Sequence, residues 1–323
     1  MTTAPPVHDV VQPFQPWMAE CEDMLGRFAG GHVPEVSGPA TDTLVAGGKR
    51  VRPVMLFCCS SRREDDRQAL VSAAAAVELV HMATLVHDDL IDGATTRRGR
   101  PTVARAHGAD AAINVGDFLF ARAFAELTRL GSPAAVSALA EASLDLARGE
   151  MDQQRAAGDL ALPVDAYMAR CQRKTGALFA VACRLGALLS GASDEAQRRL
   201  AAFGTHVGVA FQILDDILDL AGAPADTGKR RGTDILCGTV TLPQILAMEV
   251  DPDLGAEIRR VAAGEDGLGT LCDRLAAHPG TAAARQRAIG EVEMALESLD
   301  GDIGGADAAA LRIIAAGVVD RFA

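Results

Sequence analysis

The chain has 323 residues, of which 49% are hydrophobic and only 4% aromatic, and it carries a formal net charge of −12. So acidic a balance argues against a nucleic-acid partner, which needs a basic face to meet phosphates. Helix formers such as alanine and leucine dominate, and no apolar/polar alternation runs between hairpin turns, so one all-α domain spanning 1–323 is expected.

In chain order, the opening stretch MTTAPPVHDVVQPF has neither the basic nor the apolar region of a secretion signal. Residues 1–12 read as a flexible tail, and a cytoplasmic address is expected. Apolar periodicity then predicts helices over about 13–29, 36–46, 50–60, 66–92, 101–108, 110–130, 133–156, 163–190, 194–221, 239–249, 253–263, 267–277, 280–299 and 306–321. The longest apolar run, Leu70 to Val86, is broken by Glu78 and His81 and ends in carboxylates, so it reads as a buried helix and not a membrane span. Seven cysteines, Cys21, Cys58, Cys59, Cys171, Cys183, Cys237 and Cys272, form no CxxC pair and read as buried reduced thiols. The Gly/Asp-rich piece Ala263 to Gly269 reads as a mobile loop.

Two helices end in the same pattern. HDDLID at 87–92 and LDDILD at 214–219 are two copies of Asp-Asp-x-x-Asp. Residues four apart share a helix face, so Asp88 pairs with Asp92 and Asp215 with Asp219. Carboxylates at a helix C-terminus are unfavourable by about 0.3–1 kcal/mol each when exposed, so a cation is expected to compensate. Hard oxygen ligands favour Mg²⁺ or Mn²⁺, and Mg²⁺ usually keeps waters and substrate phosphate beside a few carboxylates. One such motif alone reads equally well as a solvated acidic helix end; two point to metal. Arg97 and Arg98, in a loop shaped by Gly99 and Pro101, supply planar donor forks suited to phosphate.

Other basic residues are less specific. GGKRVRP at 47–53 places Lys49, Arg50 and Arg52 after a glycine pair, without the spacing of a Walker loop, and reads as either a solvated turn or an anion site. His81 lies two helical turns before Asp88 on nearly the same face, where a core histidine is the alternative. RKTG at 173–176 and TGKRRG at 227–232 put Lys174, Thr175 and Lys229 beside glycines.

The ordered set GGKRVRP, HMATLVHDDLID, RRGRPT, VGDFLFARAF, KTG, AFQILDDILD, GKRRGTD and TLP resembles the trans-isoprenyl diphosphate synthases, or polyprenyl synthetases, from about residue 40 onward. The resemblance implies the isoprenoid synthase fold, a bundle of long helices around a deep central cavity, usually in a homodimer. It implies that isopentenyl diphosphate is condensed with an allylic diphosphate to give an all-trans polyprenyl diphosphate. Asp88, Asp92 and Asp215 would bind three Mg²⁺ ions per active site, with Asp89, Asp216 and Asp219 supporting them. Arg97, Lys174, Thr175, Gln212 and Lys229 would contact the allylic diphosphate, and Lys49, Arg52, His81 and Arg98 isopentenyl diphosphate. One departure stands out: where many relatives have Lys in GKxTLP, this chain has Thr239, with Arg230 or Arg231 as substitutes for the missing cation.

Product length is expected from the helix before the first motif. In the family, bulky aromatics four or five residues upstream stop growth early; here those positions are Thr84 and Ala83, with Ala76, Ala74 and Ala73 deeper. From Ala73 to Asp88 a helix spans roughly 22 Å, so a small-residue wall admits a product of about C30 to C50, of the kind used for quinone side chains. The same alanines also suit close helix packing, and Phe118, Phe120 or Phe124 could still plug the tunnel. A short-chain geranylgeranyl diphosphate synthase shares every catalytic residue. A terpene cyclase would not need Lys49, Arg52, His81 and Arg98, and a non-catalytic subunit would not need both motifs.

Overall fold

The computed structural model describes residues 10, 12–30, 34–222 and 231–320, and helices make up almost all of its regular structure. Contacts group the chain into two units. The first comprises Met1–Ser143, Leu178–Gly204 and Ser298–Ile314; the second comprises Leu144–Ala177, Thr205–Glu297 and Ala315–Ala323. Of the expected tail, only Val10 and Gln12 are described: Val10 is buried, and Gln12 opens a 3₁₀ turn, Gln12–Phe14, that buries Phe14.

In the first unit, α1 (Gln15–Ala29) carries proline in its first turn, where the missing N–H costs no hydrogen bond, and buries Trp17, Cys21, Leu25 and Phe28 along one stripe. It is followed by α2 (Pro34–Val45), α3 (Val51–Cys58) and α4 (Arg67–Ile91). A two-residue hairpin pairs β1 (Thr96–Arg97) with β2 (Arg100–Pro101), Thr96 opposite Pro101 and Arg97 opposite Arg100. Thr102 then caps α5 (Val103–His107), its hydroxyl accepting from the Arg105 N–H at 3.2 Å, and α6 (Ala109–Thr128) follows.

Helix α4 is the core of this unit. Every residue from Leu70 to Val80 is buried, as a helix apolar around most of its circumference must be, and it packs against α1, α3 and α6. Its run of alanines lets those helices come close. The stretch Glu64–Ile91 is long and apolar enough to cross a membrane, but its most apolar window is 78% buried in protein.

Helix α7 (Pro133–Arg155) belongs to the first unit up to Ser143. The expected helix over 163–190 forms as α8 (Val164–Cys171), a π-helical segment Gln172–Gly176, and α9 (Ala177–Leu189), whose residues from Leu178 onward belong to the first unit. Next come α10 (Asp194–Ala221), the single turn α11 (Thr233–Leu236), α12 (Leu242–Val250), α13 (Leu254–Ala262), α14 (Leu268–Ala276), α15 (Pro279–Ser298) and α16 (Ala308–Asp320). Leu220, Ile235, Leu254, Ile258, Leu271 and Leu275 form a shared apolar cluster in the second unit.

Two expectations need correction. Helix α12 begins at Leu242, not 239, because Thr241 is extended and Pro243 suits only a helix's first turn. Six cysteines are buried and none is in a disulfide, but Cys237 is exposed.

Candidate active site

The last turn of α4 displays the three aspartates of the first motif differently. Asp88 is half-buried and Asp92 exposed, whereas Asp89, about 100° around the helix from Asp88, is 5% exposed. Asp89 faces the hairpin, where Arg97 Nε donates to both its carboxylate oxygens at 2.8 and 2.9 Å and Arg97 Nη2 lies 2.8 Å from Oδ1. The middle carboxylate therefore fixes an arginine.

The hairpin tip explains the position of Arg98. A two-residue turn that matches strand twist needs positive φ at both central residues, and Arg98 and Gly99 have φ of 52° and 75°. Glycine takes this conformation readily; arginine takes it at a cost of about 1–2 kcal/mol. The strain aims the Arg98 guanidinium at the GGKR turn. A Cβ at Gly48 would lie 3.0 Å from Arg98 Nη1 and 3.1 Å from Arg50 Nη1, so both guanidinia close tightly over this turn.

Around that turn lies a cavity of about 220 Å³, lined by Arg50, Glu78, His81, Asp89, Arg97 and Arg98 among others. Burial first, then the charges of Arg52, Arg98, Arg97 and Arg50, push His81 well below the usual imidazole range, so it is neutral at pH 7. Burial also pushes the Arg52 guanidinium down to about 10, against the pull of Glu78. Its Nε is buried without a hydrogen-bond partner, and its guanidinium stacks over Phe179, 4.4 Å from the ring centre. A cationic cavity beside an unsatisfied donor is suited to an anion. Lys49, exposed on the turn, and Arg52 stand outside the cavity lining itself.

In the second unit, Asp216 is buried and accepts from the Tyr167 hydroxyl at 2.6 Å and from Gln212 Nε2 at 2.8 Å. Gln212 Oε1 in turn accepts from Thr175 Oγ1 at 2.6 Å. Burial pushes Asp216 up to about 7, more than these hydrogen bonds lower it. Asp219 accepts from the backbone N–H groups of Thr233 and Asp234, each at 3.2 Å, and so anchors α11. Asp215 remains half-buried on α10.

The π-helical segment carries Lys174 and Thr175. Its wider turn presses against Gly149 of α7, where a Cβ would sit 2.7 Å from the Lys174 nitrogen. The Lys174 ammonium meets Glu150 at 2.5 Å and Gln153 at 3.3 Å. Lys229 and Arg230 lie outside the described residues. Arg231 is committed to Asp273 at 2.6 Å and to the Leu220 carbonyl.

Of the expected wall, Ala83 is fully buried and Thr84 half-buried, its hydroxyl donating to the His81 carbonyl at 2.8 Å. Phe118, Phe120 and Phe124 are half-buried, and the Phe120 ring stacks on His87 with centres 6.1 Å apart. Sequence reasoning missed Glu22, Glu78 and Tyr167 as site residues. Only Glu78, a lone acid in an apolar run, left a signal. Among the described residues no three acidic, imidazole or thiol groups form a metal cage. Asp88 and Asp92 in the first unit, and separately Asp215 in the second, nonetheless offer hard carboxylate oxygens of the kind that suit an ion keeping waters and phosphate in its shell.

The sequence profile of the family described as polyprenyl synthetase matches residues 33–267. Heptaprenyl diphosphate synthase component 2 of Geobacillus stearothermophilus is 40% identical over 231 residues, covering 72% of each chain. Octaprenyl diphosphate synthase of Escherichia coli is 34% identical over 257 residues, 78% of this chain and 80% of that one. The crystal structure of a polyprenyl synthase from Caulobacter crescentus, complexed with calcium and isoprenyl diphosphate, matches with a TM-score of 0.92 and 31% identity over the whole of both chains.

Proposed function

We propose roles for these residues from one premise: the chain belongs to the polyprenyl synthetase family. It has the isoprenoid synthase fold and is a prenyltransferase that makes long-chain polyprenyl diphosphate. The family's substrates are isopentenyl diphosphate and an allylic diphosphate, and its members depend on a divalent metal.

Our reading assigns isopentenyl diphosphate to Lys49, Arg52, His81 and Arg98, and the allylic diphosphate to Arg97, Lys174, Thr175, Gln212 and Lys229. The observation that carries it is the cluster of Arg52, Arg98 and a neutral His81 at this turn, with the Arg52 Nε buried and without a hydrogen-bond partner. Such a cluster is costly unless an anion enters it. The metal is taken to be Mg²⁺, three ions per active site, with Asp88, Asp92 and Asp215 as the ligands that the family's two motifs imply. Asp89, Asp216 and Asp219 support the site by holding Arg97, Gln212 and α11. When bound, Mg²⁺ offsets the charge that builds on the departing pyrophosphate. Arg97 and Lys174 add fixed positive charge to the same leaving group. The allylic cation so released is attacked by the isopentenyl double bond, and proton loss to the pyrophosphate leaves an allylic diphosphate one unit longer. No protein nucleophile takes part.

The expected product is about C30 to C50, for quinone side chains, made in the cytoplasm by a homodimer. Stripping the protein with a chelator and titrating Mg²⁺ back tests the metal reading. Incorporation of isopentenyl units should vanish and return, and Asp88→Asn, Asp92→Asn and Asp215→Asn should each demand more Mg²⁺. Metal-independent incorporation would contradict it.

A further inference from the structure

Arg50 stands between Lys49 and Arg52, where the GGKR turn enters α3, but makes different contacts. Its Nε and Nη2 donate to Glu22 at 2.5 and 3.3 Å, and its Nη1 donates to Glu78 at 2.9 Å. The Arg50 side chain is only 9% exposed and that of Glu78 4%, while that of Glu22 is 44% exposed. A fork that meets two carboxylates has few donors left for a diphosphate. Its backbone is left-handed, φ 47° and ψ 36°, at the residue where the GGKR turn becomes α3. A non-glycine residue holds such a conformation only when its surroundings over-determine it.

We propose that Arg50, clamped by Glu22 and Glu78, is a positioning residue for the isopentenyl diphosphate subsite: it fixes the turn that presents Lys49 and Arg52. Glu78 has a second role as the buried counter-charge among Arg50, Arg52 and Arg98, whose mutual repulsion would otherwise open the turn. Burial lowers the proton affinity of Arg52 and Arg98, and the Glu78 charge acts against that loss in both. In sequence, Arg50 is one more basic residue of GGKRVRP with no role assigned to it. The inference rests on the assignment of Lys49 and Arg52 to isopentenyl diphosphate.

The test uses the full chain with Mg²⁺ and measures KM separately for isopentenyl diphosphate and for the allylic primer, beside kcat and thermal unfolding. Arg50→Gly keeps the left-handed backbone without strain and removes the clamp together with its buried charge. It should raise KM for isopentenyl diphosphate about tenfold, the loss of one charge-assisted contact, and leave the allylic KM unchanged. Glu22→Gln, at a half-exposed position, should give a smaller rise of the same kind. Arg50→Lys should recover only part, because an ammonium cannot span both carboxylates. Equal rises in both KM values, or lower thermal stability with both KM values unchanged, would overturn the proposal in favour of a purely structural role. Arg52→Ala separates the two readings. If it leaves KM for isopentenyl diphosphate unchanged, the subsite assignment fails; if it raises KM while the Arg50 and Glu22 variants do not, the positioning role alone fails.

Discussion

Arg97 and Asp89 form a two-oxygen clamp, with Nε at 2.8 and 2.9 Å from the carboxylate oxygens and Asp89 buried at the end of α4. The clamp ties the hairpin to the first aspartate motif. A carboxylate so engaged positions a cation, while Asp88 is half-buried and Asp92 exposed.

Asp89→Asn should therefore behave unlike its neighbours. Losing one partner of a mostly buried charge-assisted pair costs about 1–3 kcal/mol. The loss should appear as a higher KM for the allylic diphosphate, with the Mg²⁺ dependence unchanged. Asp88→Asn should shift the Mg²⁺ dependence itself. Metal titrations of both variants check this, and identical shifts would place Asp89 among the ligands.

Tyr167 is the hidden member of the second motif. Its hydroxyl holds Asp216, which holds Gln212, which accepts from Thr175. Tyr167→Phe leaves a buried acceptor short of a donor, a loss of about 1–3 kcal/mol. Lower thermal stability together with a raised allylic KM is expected. An unchanged allylic KM would show that the relay ends at Asp216.

Gly149 and Lys174 predict a steric effect. An alanine side chain at 149 would meet Lys174 backbone and not a flexible tip, so the π-helical segment must move. Gly149→Ala should lower kcat/KM for the allylic primer by about tenfold or more, from misplacement of about 1 Å. Kinetics with isopentenyl diphosphate saturating would isolate it.

His81 sets a pH dependence. Burial and the surrounding arginines depress its folded pKa below the unfolded value near 6.5. Between the two values the unfolded chain binds a proton that the folded chain refuses. Its contribution to stability is thus complete above pH 6.5 and is lost as pH falls toward the folded value. His81→Asn should flatten that part of the stability profile, measured by thermal unfolding between about pH 5 and 8.

Much of this arrangement was legible in the chain. The spacing of Asp88 and Asp92 gives a shared face, and the same helical geometry turns Asp89 away from it. What Asp89 turns toward was not legible, because the hairpin that brings Arg97 back rests on two positive φ angles at its tip. Helix α4 follows from its apolar run almost to the residue: 66–92 expected, Arg67–Ile91 found. The π-helical segment at Gln172–Gly176 left no trace, since it continues an ordinary helical run and its close packing on Gly149 joins residues far apart in the chain. The half-exposed Glu22 lies 28 residues from Arg50, too far in sequence for spacing rules to pair them.

The central claim is a long-chain prenyl transfer, and product size tests it most directly. The purified protein would be incubated with Mg²⁺, radiolabelled isopentenyl diphosphate and, separately, allylic primers from C5 to C20, and the dephosphorylated alcohols sized. The account predicts a ladder reaching about C30 to C50, shortened by Ala83→Phe, because the α4 wall upstream of Asp88 is alanine-rich over roughly 22 Å. A ladder that stops at C15 or C20, or no incorporation with any primer, would contradict it.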